Sequence, residues 1–198
     1  MFRHRCGRAL LEALLALLLA IPVGARAADD LVREYVDEIT AASITVAVDP
    51  LVFARERTDL AVNARDYITL TPLEINRTGH RSYFWSGYIW STIDRRGREP
   101  VLAPNDELVL FADGRPIPLH GDGKPLREHG VGEPPTRVPV RTAIPVLFVA
   151  TPEVMAYVSR ASELHIELIH AEGSDPFVLW KDARAGLRSF VERVGTSP

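Results

Sequence analysis

Hydrophobic positions change their spacing several times along the chain, and each change predicts an element. Residues 9–21 form an apolar run broken only by Glu12, with Pro22 and Gly24 after it. Between 28 and 39, Leu31, Val32, Tyr35, Val36 and Ile39 recur at helical spacing behind Asp29 and Asp30. That pattern predicts a short amphipathic helix with its acidic residues at the N-terminal end. The period then shortens to two. Residues 43–48 are β-branched and apolar, 51–57 continue beyond Asp49-Pro50, and 66–76 alternate Tyr67, Thr69 and Thr71 against Ile68 and Leu70. Thr78-Gly79 turns the chain into 81–94, the richest β segment, so the two runs read as a hairpin.

Residues 107–112 and 115–119 flank Asp113-Gly114, the strongest short-range hairpin signal in the chain. Glycine and proline dominate 120–135, an exposed loop longer than ordinary connections and therefore a place to look for function. Residues 138–150 are strand-like, although Pro139 and Pro145 confine them to a sheet edge or split them. Thr151-Pro152-Glu153 starts a helix, with threonine as the cap and proline at the first helical position. A strand follows over 163–170 with Leu164, Ile166 and Leu168 on its buried side, then a short one over 177–180. Asp182 caps a terminal helix whose apolar stripe is Ala183, Leu187, Phe190, Val191 and Val194, with Gly195 at its end. Strands stand mostly in hairpins and do not alternate with helices. The fold class is therefore mainly β (α+β), an antiparallel β-sandwich or curled sheet with short peripheral helices, including a C-terminal one.

The start of the chain adds a location. Arg3, Arg5 and Arg8 precede the apolar run and Ala25-Arg26-Ala27 follows it, the three-part order of a secretory signal peptide. The run is shorter than the roughly 20 apolar residues of a spanning helix. Cleavage after Ala27 is expected, with export to the periplasm or the exterior, a single globular β-rich domain over 28–198 and no transmembrane helix in it. Cys6 lies before the apolar run, which argues against lipoprotein processing, and His4 separates Arg3 from Arg5, unlike a twin-arginine signal.

Charge narrows the partners. Removing 1–27 takes four arginines and one glutamate from 23 basic and 26 acidic residues, leaving 19 and 25 and a net charge of −6. That balance argues against a nucleic-acid partner and supplies no polybasic membrane segment. Cys6 is the only cysteine and leaves with the signal, so the domain has neither a disulfide nor a thiol nucleophile. At this length a domain buries about 70% of its unfolded surface and can stand on its own core.

Candidate chemistry is sparse. In the aromatic strand Tyr83, Trp85 and Ile89 fall on one side and Phe84, Tyr88 and Trp90 on the other. Exposed, such a side is a platform for sugars or partner side chains; buried on both sides, it is a central strand, with Gly87 letting another backbone approach. Arg95, Arg96 and Arg98, with Arg55, Arg57 and Arg65 upstream, hold an anion if the sheet gathers them and are otherwise solvated strand ends. His165 and Glu167 point together but His170 points away, short of the three converging ligands of a zinc site. His120 and His129 add ligands only if their loop folds over. Asp66, Asp94, Asp106 and Glu107 lie near strand ends, where a glycosidase pair or plain turn chemistry would place them. Nucleophile-elbow, zinc-protease, Walker and dinucleotide motifs are absent, and Gly121-Asp122-Gly123 is too short for a calcium loop. No cofactor is expected.

The sequence thus reads as an exported, non-catalytic domain that binds another envelope protein or assists its assembly. Its candidate binding surface is Tyr83, Trp85, Tyr88, Trp90, Arg95, Arg96, His120 and His129. One alternative is a small-ligand binder with the 120–135 loop over a cleft, which needs a concave pocket with a few convergent polar groups. Another is a hydrolase built on two carboxylates, which needs both in one cleft.

Overall fold

The computed structural model describes residues 31–93, 101–103 and 105–196. The expected signal segment therefore lies outside the described residues, as do Asp94, Arg95, Arg96 and Arg98. The described chain forms ten strands and two α-helices. The strands are β1 (Val32–Val36), β2 (Ser43–Ala47), β3 (Leu51–Glu56), β4 (Arg65–Arg77), β5 (His80–Ser91), β6 (Glu107–Ala112), β7 (Arg115–Pro118), β8 (Ile144–Ala150), β9 (Leu164–His170) and β10 (Gly173–Lys181). The helices are α1 (Pro152–Arg160) and α2 (Arg184–Thr196). All strands join one open, antiparallel sheet, the curled-sheet form of the expected fold.

The β4–β5 hairpin is its spine. Thr78 and Gly79 turn it with φ of 51° and 88°, a pair of left-handed residues that matches strand twist. One edge of β4 serves two partners in succession: Arg65 to Leu70 pair with β3, and Leu73 to Asn76 pair with β2. The fork falls where β4–β5 pairing lapses at Thr69 and Leu70. There the Tyr88 amide donates to the Thr69 hydroxyl, at 2.9 Å, and a Cβ on Gly87 would lie 1.7 Å from the Thr69 carbonyl oxygen. Only glycine admits that approach.

Because side chains alternate across a strand, the hairpin feeds two cores. From one face Ile68, Leu70, Trp85 and Ile89 join Phe53, Leu110, Ile166 and Phe177 beneath the helices, with Met155, Val158, Leu187 and Phe190 closing the main core from above. From the other face Leu73, Ile75 and Phe84 join Ile44, Val46 and Ala42 in a smaller core closed by Val131 and Leu126 of the long loop. The long loop, with a 3-10 turn at Leu126–His129, thus lies over the sheet as a cover. Asp37 fixes it, accepting from the Gly132 amide at 2.7 Å through Oδ2 while Oδ1 accepts from the Ile39 and Thr40 amides.

Two expectations need correction. Residues 28–39 hold no helix among those described; Val32–Val36 is an edge strand paired with β2. Of its apolar residues only Val32 is well buried, while Val36 and Ile39 are exposed, so no helical stripe existed to be covered. A neighbouring strand offered a full set of backbone partners instead. The strand expected over 138–150 begins at Ile144, beyond Pro139, and Pro145 sits opposite Tyr88 on a strand that, among the described residues, pairs with β5 and otherwise makes a single bridge, Gly121 to Phe148. Both helix caps form as expected: Thr151 accepts from the Val154 amide, and Asp182 accepts from the Arg184 amide at 2.9 Å. Among the described residues no helix is long and apolar enough to cross a membrane.

Candidate functional site

Among the described residues, the half of the sheet's outer face that the long loop leaves uncovered presents one row, with Ala54 buried within it and half-buried rings on either side. Trp90 stands opposite Tyr67, Tyr67 opposite Ala54, Ala54 opposite Val178, Val178 opposite His165, and His165 opposite Phe111. Strict register across six strands puts these side chains in line on one face. The Trp90 and Tyr67 rings stack with centroids 5.0 Å apart and planes at 15°, and Phe111 and His165 stack at 4.8 Å and 1°. Those spacings equal the interstrand distance of about 4.8 Å, so the rings stand side by side and turn their edges, not their faces, to solvent. Between the stacked pairs Val178 is 59% exposed, and Trp180 nearby is 58% exposed. Arg65 lies along the same face with its guanidinium 4.8 Å over the Trp180 ring and a contact to Glu56 at 3.1 Å.

The residues singled out from sequence divide around this row. Trp90 belongs to it. Trp85, at 1% exposed, is part of the main core and contributes nothing to a surface. Tyr83 is half-buried against the same core, with its hydroxyl 3.5 Å from Glu74. Tyr88 is buried under the long loop, donating to the Thr136 carbonyl at 3.3 Å; burial raises its phenol above the ordinary value, partly offset by that bond. His120 is exposed at the start of the loop, its carbonyl accepting from the Val149 amide. His129 is half-buried, 2.7 Å from Asp122, with its ring against Phe84 at 4.8 Å. The loop does fold over the sheet, yet His165 pairs with Glu167 and His170 with Asp175, away from it. Among the described residues no group of three or more His, Cys, Asp or Glu is placed to hold a metal.

Arg55, Arg57 and Arg65 are not an anion site. Asp66, fully buried, takes Arg57 at 2.9 Å and Arg55 at 3.2 Å; Arg55 also meets Asp175, and Arg57 meets Asp59. A carboxylate held out of water requires such cations, so they are committed to the fold. Asp66 is correspondingly unavailable as one of a catalytic pair. Asp106 accepts from the Ala103 amide at 2.7 Å, which is turn chemistry.

Sequence reasoning missed most of the row. Tyr67, Phe111 and Val178 come from three different strands, and only pairing register brings them together; Trp180 stands two residues beyond Val178 on the same strand. The one local signal was Val178 and Trp180, apolar residues at alternate positions of a short strand before a helix. No protein-family model matches the chain, and no curated protein and no solved structure matches it. The fold and the row define a class, an open β-sheet domain with a row of partly exposed aromatic side chains on one face among the described residues, and the function rests on that geometry alone.

Proposed function

We propose that the protein is an exported, non-catalytic binding domain that docks another envelope protein on the row from Trp90 to Phe111. The observation that carries this reading is the exposure of Val178 within an in-register row and of Trp180 beside it, where the register shifts. Contiguous exposed apolar surface marks an interaction site, whereas scattered single residues do not. Trp, Tyr and Arg are also the residue types that dominate protein interfaces.

Ring orientation chooses between partner classes. A sugar stacks on an open aromatic face, but each of these rings has one face taken, Trp90 and Tyr67 by each other, Phe111 and His165 likewise, and Trp180 by Arg65. Upright rings with an aliphatic side chain between them favour a protein surface that interdigitates. Export through the N-terminal signal supplies the compartment in which the partner would be met.

A photo-crosslinking residue at position 178 of the chain expressed in its native envelope tests this. Crosslinking to one protein in reproducible stoichiometry, abolished by Trp180→Ala and absent when the probe sits at exposed Val62, is the expected result. Equal capture from positions 178 and 62, or none from 178, overturns the reading.

A further inference from the structure

A second place for a ligand lies under the long loop. The cleft between the loop and strands β5 and β8 encloses about 500 Å³, within the roughly 300–1,000 Å³ of small-molecule sites. Its walls are apolar, with Leu126, Val131 and Leu147 foremost. The loop is pinned on both sides of it. On one side the Asp122 amide donates to the Leu147 carbonyl and the Val149 amide to the His120 carbonyl, each at 3.0 Å. On the other, Gly132 is held by Asp37, Thr136 by the Tyr88 hydroxyl and the Pro135 carbonyl by Arg33. The opening is therefore part of the fold and not a gap left by a loose segment.

Its floor is polar and unsatisfied. Ser86 lines the cleft at 3% exposed, and its hydroxyl has no hydrogen-bond partner among the described residues. Opposite it in register, the Thr71 hydroxyl is buried and likewise has none. Of the two, the Thr71 oxygen is fully buried behind the lining, whereas the Ser86 hydroxyl belongs to the lining itself and can bond what enters the cleft. At the mouth stand Lys124 and Arg127, both exposed and neither ion-paired among the described residues; Glu133 is the one carboxylate in the lining.

We propose that this cleft binds a small anionic molecule with an apolar body. The anion sits at Lys124 and Arg127, the body lies between Leu126, Val131 and Leu147, and one polar group reaches Ser86. The site is separate from the docking row and does not depend on it.

Two probes sharing one ring system test the inference: anilinonaphthalene sulfonate and its uncharged counterpart phenylnaphthylamine, titrated by fluorescence into the chain lacking residues 1–27. The sulfonate is expected to saturate a single site about tenfold more tightly than the neutral probe, as a charge-assisted contact at an exposed mouth would give. Lys124→Glu with Arg127→Glu removes that advantage and leaves the neutral probe unchanged. Leu147→Trp, which fills the cleft, displaces both, and Val178→Asp on the docking row displaces neither. Absence of saturable binding, equal affinity for the two probes, indifference to the charge reversal, or loss on Val178→Asp each overturns it. The reversed charges lie on an exposed loop, so that arm stands even if Leu147→Trp fails to fold.

Discussion

A single missing Cβ decides where the sheet forks. Gly87 faces the Thr69 carbonyl so closely that any side chain would sit 1.7 Å from its oxygen, and that oxygen belongs to backbone that cannot swing aside. Gly87→Ala is expected to destabilise the protein by about 3 kcal/mol, the upper end of the usual range for overpacking. Urea denaturation measures this directly; a midpoint unchanged from wild type would mean that β4 and β5 can separate without cost. The sequence already marked Gly87 as a point of close approach, because a glycine amid aromatic and β-branched neighbours has little other use. It could not say that Thr69 was the neighbour, nor which side of the aromatic strand was covered. Alternation placed Trp85 and Trp90 on opposite faces; their different fates, one in the main core and one on the outer row, depend on helices and a loop distant in sequence.

At the scale of elements the long loop is a pinned cover, and one carboxylate holds it at Gly132. Asp37 lies below the ordinary aspartate value of 3.8, chiefly because the Gly132 amide donates to it, with the Thr40 and Ile39 amides adding to the effect. A depressed carboxylate contributes stability that is complete above the unfolded value and disappears as pH falls through the folded one. Protection of the Gly132 amide, its exchange relative to an unstructured amide at the same pH, is therefore expected to be high at neutral pH and to fall below pH 3.8, before protection in the sheet is lost. Asp37→Asn separates the two halves of this anchor. Its carbonyl can still serve Ile39 and Thr40, but its amide would face the Gly132 N–H donor to donor, so the attachment at Gly132 should be lost at neutral pH and the acid step should vanish. Protection at Gly132 that is identical in the variant would remove Asp37 from this role. The loop's existence was legible in its glycines and prolines, but its anchor was not, since Asp37 lay in a segment whose spacing read as helix. Val32–Val36 also alternates, with Arg33 and Tyr35 turned together, and an edge strand of five residues carries too short a pattern to outvote a helical one.

For the molecule as a whole, the two cores on opposite faces of one hairpin imply two grades of stability. The main core is closed by α1 and α2, which pack on each other as well as on the sheet, and its apolar stripe from Ala183 to Val194 was plain in the sequence because it kept helical period. The smaller core is closed by Leu126 and Val131, isolated apolar residues in a loop without any period, and so it was invisible until the loop was seen in place. Phe190→Ala, at a fully buried position under α2, is expected to cost about 3–5 kcal/mol and to lower the unfolding midpoint for every probe together. Val131→Ala should act differently. It loosens the cover without touching the helices or strands β9 and β10, so hydrogen exchange ought to quicken at Asp122, Gly132 and Val149 while amides of β9 and α2 keep their protection. If Val131→Ala instead speeds exchange in β9 as much as in the loop, the two clusters form one cooperative unit. The cover would then loosen only when the whole sheet does, and the cleft, open at its mouth in the folded chain, would keep its shape until global unfolding.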